Sequence, residues 1–138
     1  MRSFILGALI AIGTVIAAAA VFAQSGSTSG AGAAAPLLTK TLADVPGKEA
    51  TMLTVSYPPG GASPSHRHNA DVFVYVLEGA VVMQVAGGKE VTLTAGQTFY
   101  ESPADVHSVS RNASATAPAK ILVFAVKAQG APLTMPAK

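Results

Sequence analysis

The feature that most constrains this chain is a series of short runs rich in β-branched and aromatic residues, cut by Gly and Pro every ten residues or so. Residues 50–57 alternate and stop at Pro58-Pro59-Gly60-Gly61. Residues 71–77 read DVFVYVL and turn at Glu78-Gly79. Residues 80–86, AVVMQVA, close at Gly87-Gly88, and residues 90–94, EVTLT, close at Ala95-Gly96. Two further runs, 97–102 and 106–111, flank Pro103, and residues 120–127, KILVFAVK, form the last. None of these stretches carries the 3.6-residue spacing of an amphipathic helix. Strands of this length and spacing predict an all-β domain, an antiparallel sandwich or barrel.

The start of the chain reads differently. Residues 1–23 open with one cation, Arg2, continue as an apolar run over residues 4–20, and end in Val21-Phe22-Ala23 before Gln24. A positive start, an apolar middle and a small-x-small ending are the layout of a secretory signal peptide, here expected as a signal helix. An uncleaved anchor is the competing reading, since the run is only slightly short of the ~20 residues a spanning helix needs. Residues 24–36, QSGSTSGAGAAAP, hold almost no large side chain and predict a flexible linker, because they bury too little to offset their ordering entropy. The folded domain is thus expected over residues 37–138, in a periplasmic or secreted protein with no membrane attachment after cleavage.

Composition excludes several roles. Without Arg2 the chain has eight Lys/Arg against seven Asp/Glu and no basic cluster, so nucleic acid is not an expected partner. Cysteine is absent, which rules out a thiol nucleophile, disulfide staples and a lipid-anchored N-terminus. No G-x-S-x-G and no phosphate-binding Gly loop with a Lys is present.

All three histidines of the chain are His66, His68 and His107. In an extended strand residues i and i+2 face the same way, so His66 and His68 converge while Arg67 points away. Imidazole is the commonest protein metal ligand. A barrel could bring His107 opposite the pair. By itself H-x-H is frequent by chance, and spacing alone favours surface histidines without a role over metal ligands.

Residues 60–79, GGASPSHRHNADVFVYVLEG, resemble the first motif of the cupin family, with Gly60, His66, His68 and Gly79 at its intervals. Residues 96–112, GQTFYESPADVHSVSRN, resemble the second, through Gly96, Pro103, His107 and Asn112. The resemblance implies a jelly-roll barrel, the double-stranded β-helix, with one divalent metal ion on His66, His68 and His107. One departure stands out: the motif's metal-binding Glu falls on Val72, and valine cannot ligate. The implied centre is therefore three neutral histidines, and imidazole does not choose among Fe, Zn, Mn, Ni and Cu. Glu101, at the end of a strand before the turn to His107, is the candidate catalytic residue. It could ligate, accept an imidazole N–H or serve as general base. Asp71 is the weaker candidate, since alternation sets it opposite position 72. Glu78 is expected to be structural. Tyr75, Phe99 and Tyr100 are expected in the barrel core, with a pocket wall as the alternative, and Gln84 is the polar candidate for that wall.

A three-histidine centre resembles that of cupin dioxygenases, implying an oxidoreductase acting on a small organic substrate. The alternative is a non-catalytic module binding a small ligand or a metal, which the missing Glu favours. The resemblance also implies a homodimer, paired through outer strands. Mass spectrometry of protein recovered from the exported fraction is expected to find Gln24 at the N-terminus; an intact Met1 in a membrane pellet would mean an anchor instead.

Overall fold

The computed structural model describes residues 30–137, so the expected signal segment and the first part of the expected linker, residues 24–29, lie outside the described residues. Among the described residues there are eleven strands and no helix. The alternation that defines the core is plainest in β5 (Ala70–Glu78). Val72, Val74 and Val76 are buried, and Phe73, Tyr75 and Leu77 between them are exposed. Short β-branched side chains thus fill the interior, and the larger rings stand outside.

The strands form two antiparallel sheets. One runs in the order β1 (Ala33–Thr41), β2 (Lys48–Tyr57), β10 (Ala119–Ala128), β5 and β8 (Thr98–Glu101). The other runs β11 (Thr134–Pro136), β4 (His66–His68), β9 (Val106–Asn112), β6 (Ala80–Val85) and β7 (Val91–Thr94), with β3 (Ala62–Ser63) also on β9. This is the expected jelly-roll layout of two facing sheets. β10 pairs with β2 over ten consecutive positions and alternates from Ala119 through Ile121, Val123 and Ala125. These side chains meet Val81 and Met83 of β6 and Leu93 of β7 in one core. At Gly79 the chain leaves the first sheet for the second. Its φ is +69°, and an added Cβ would lie 2.5 Å from the Pro118 carbonyl oxygen, so both backbone and space require glycine.

Lys127 continues the inward alternation of β10 past Ala125 and is buried. Its ammonium meets the buried Glu49 carboxylate and donates to the Ala131 carbonyl at 2.6 Å. The Lys127 hydrogen bond holds the Glu49 carboxyl below the usual carboxylate range. This pair pins the segment leading from β10 to β11.

Three expectations need correction. β1 begins at Ala33, inside the stretch read as a flexible linker. It is an edge strand exposed along its whole length, so its pairing to β2 needs backbone hydrogen bonds and no large side chain. Pro36 fits there because an edge strand leaves one side unpaired, and the register slips at that point. Tyr75 and Tyr100 are not in the core; both lie exposed on the outer face, where they line a groove with Phe73 and Phe124, and Tyr100 donates to Asp71 at 2.7 Å. Gln84 spends its amide on the Gly88 carbonyl and on Ser108, while its neighbour Met83 faces inward.

Asn112 joins the barrel end. Its buried amide nitrogen lies 2.8 Å from the Ala117 carbonyl, 3.0 Å from that of Pro58 and 3.4 Å from that of Tyr57, and its oxygen accepts from the Ser114 N–H. Asn112→Ala would leave buried backbone groups without partners. The expected loss is about 3 kcal/mol of stability, read as a lower urea midpoint with an unchanged slope.

Candidate metal centre

The site is built by two strands of one sheet and one of the other. His66 on β4 and His107 on β9 are direct cross-strand partners. His68 follows two residues after His66 on the same face, and Arg67 points outward to the Ala104 carbonyl. Glu101 comes from β8 in the opposite sheet, where alternation turns it inward together with Phe99. His66, His68, Glu101 and His107 each offer one donor atom, and all four atoms lie within 4.8 Å of one another. The three imidazoles therefore converge, with the Glu101 carboxylate among them.

Hydrogen bonds fix two of the rings. Nδ1 of His66 lies 2.8 Å from the Pro64 carbonyl, and Nδ1 of His68 lies 3.2 Å from the Leu133 carbonyl. A carbonyl only accepts, so in each neutral ring the proton sits on Nδ1. Both Nε2 atoms are then bare lone pairs, and they face each other 3.0 Å apart. The Glu101 carboxylate adds Oε2 at 3.7 Å from His68 Nε2 and 3.0 Å from His107 Nδ1. Neither buried nitrogen of His107 makes an aligned hydrogen bond. Lone pairs and a buried carboxylate so arranged repel unless a cation sits among them. Donors about 2.1 Å from an ion and at right angles are about 3.0 Å apart. The donor set therefore fits a divalent metal.

The carboxylate's position was not readable from the motif spacing. In the β5–β8 pairing, Glu101 is the cross-strand partner of Val72. The acid missing from position 72 is supplied by the residue directly beside it on the next strand. Glu101 thus stands among the donor atoms, while Asp71 lies on the outer face with Tyr100. Phe99 stacks on the His107 ring, with centroids 5.9 Å apart and planes at 29°. Sequence reasoning missed the Pro64 and Leu133 carbonyls, which no residue identity announces. The four donors line a cavity of about 220 Å³ between the sheets.

The Cupin domain family model matches residues 53–125. No curated protein matches the chain. Among solved structures, the TT1209 protein of Thermus thermophilus is 28% identical, with 70% of this chain and 83% of that one covered and a TM-score of 0.57. A recombinant oxalate oxidase in complex with glycolate is 25% identical, covering 80% of this chain and 57% of that one, with a TM-score of 0.60. The DMSP lyase DddQ of Ruegeria pomeroyi is 18% identical, covering 76% and 51%, with a TM-score of 0.62, and shows likeness of fold. The chain thus spans little more than half the length of the oxidase and lyase chains.

Burial pushes the pKa of His68 below the usual histidine range; the Glu101 carboxylate acts in the opposite direction and offsets this in part. Folded His68 therefore binds its proton less tightly than the unfolded chain does. As pH falls below about 6.5, the unfolded chain takes up a proton that the fold excludes. Stability of the chelated, metal-free protein is expected to fall with pH from there, by at most about 1.4 kcal/mol per pH unit for this proton, and to level off below the folded value. Thermal melts of chelated protein between pH 8 and 5 check this; a His68→Gln variant should give a flatter profile.

Proposed function

The chain belongs to the cupin domain family, and from that premise we propose that it holds one divalent metal ion on His66, His68, His107 and Glu101 and acts as a dioxygenase-like oxidoreductase on a small organic substrate. The observation that carries this reading is the pair of bare Nε2 lone pairs 3.0 Å apart beside a buried carboxylate. The residues divide the work. His66 and His68 present Nε2 because backbone carbonyls hold their other nitrogens, an arrangement that raises ligand basicity. His107 adds a ring nitrogen braced by Phe99. Glu101 brings one negative charge, which lowers the net charge of a bound divalent ion to +1. A bound ion of this kind supplies Lewis acidity and, where it is iron, manganese or copper, electron transfer. Apolar walls, among them Leu53, Val55, Val74, Ile121 and Val123, line the cavity beside the reacting groups.

Export to the periplasm or beyond is part of the proposal and rests on residues 1–23. The alternative, a ligand-binding module without turnover, drew its support from Val72. The carboxylate facing the histidines from Glu101 removes that support. If two copies pair, the exposed outer face around Phe73, Tyr75 and Tyr100 is an apolar surface that could join them.

Elemental analysis of dialysed protein is expected to give one divalent ion per chain, and His107→Ala or Glu101→Val at least a tenfold weaker affinity. Because Val72 and Glu101 are paired, Val72→Glu in the Glu101→Val background should recover much of that loss. Wild-type protein without stoichiometric metal would end the proposal. Oxygen uptake by the Fe(II)-loaded protein, against a panel of enolisable and catecholic compounds, separates oxidation from passive binding.

A further inference from the structure

The cavity that holds the four donors continues along the same strand pair to a second polar group. Ser63 and Ser110 are cross-strand partners, as are His66 and His107, and each serine lies three residues from its histidine. That places the two pairs on the order of 10 Å apart along the strands. Residues three apart normally face opposite ways. Here the register of β9 slips beside Gln84 and Val85, so His107 and Ser110 both face inward and both are buried. The Tyr57 hydroxyl lies 2.7 Å from Ser110 Oγ and 3.1 Å from Ser63 Oγ.

The direction of this hydroxyl chain follows from its far end. Ser110 Oγ donates to the sulfur of Met83 at 3.6 Å, and a thioether only accepts. Tyr57 then donates to Ser110, and Ser63 donates to Tyr57. Ser63 Oγ is left with free lone pairs on the cavity side. The walls between are apolar, chiefly Leu53, Val55, Val74, Ile121 and Val123. Among the described residues, no Lys or Arg lines the cavity.

We propose that the ligand of this cavity is a short monoanion with an apolar body and a hydroxyl donor at its far end. This rests on the metal reading above. The net +1 of a divalent ion with Glu101 is matched by one anionic oxygen. A second anionic group would be buried with no cation to meet it. The far donor hydrogen-bonds to Ser63 Oγ, and the cavity, below the ~300–1,000 Å³ of drug-sized pockets, admits only a small body.

The test uses Co(II)-loaded protein, with ligand binding followed through the visible bands of the cobalt. The probes are 4-hydroxybutanoate, its near-isostere pentanoate, and butanedioate as the doubly charged control. The expected result is tighter binding of 4-hydroxybutanoate than of either control. Ser63→Ala should weaken it about five- to tenfold and leave pentanoate within about twofold; a melting curve reports whether the variant is folded. Tyr57→Phe, which breaks the chain in its middle, should likewise narrow the gap between the two. Pentanoate or butanedioate binding as well as 4-hydroxybutanoate overturns the proposal, as does cobalt loading with no response to any probe; both leave the metal reading standing. Failure to load cobalt ends both.

Discussion

The structure turns on two unprotonated nitrogens held 3.0 Å apart. Backbone carbonyls from Pro64 and Leu133 take the only protons that two neutral imidazoles carry, and so force their lone pairs together. In a buried place beside a carboxylate, this arrangement is costly for the empty protein and favourable around a cation. The rest of the barrel supplies the position. β4 and β9 set His66 against His107, and β8 reaches across from the other sheet with Glu101.

The carbonyl that orients His68 belongs to the segment between β10 and β11, where the Gln129 N–H donates to the Gly47 carbonyl and Leu133 packs on the core. Between β10 and β11 the chain is fixed by buried Lys127, which meets Glu49 and holds the Ala131 carbonyl two residues before Leu133. The charge pair and these contacts together hold the segment whose Leu133 carbonyl meets His68. The inward lysine looks out of place in β10 until this connection is traced.

Much of the fold was legible because the core strands obey a two-residue period. β5 and β10 bury alternate positions almost without fault, and their spans agree with the runs read from the sequence to within a residue or two. β1 was missed because its nine residues are all exposed, so no alternation marks it. β3 and β11 are too short to show a period. Of the site, H-x-H was readable because both members lie on one strand. Glu101 was named, but its exact place depends on which residue of β8 sits beside Val72, and register between strands leaves no mark in either sequence. The hydroxyl chain was hidden by the slip in β9, which turns Ser110 inward against the local parity.

The pairing of Val72 with Glu101 also bears on how such barrels are recognised. Position 72 and position 101 are neighbours in space, so either can deliver a carboxylate to the same volume. A pattern scored one column at a time registers valine at the first position as a lost ligand and leaves a centre of three histidines without a carboxylate. Scored as a couple, the two columns hold one acid between them, and chains with the acid on either strand fall into the same class.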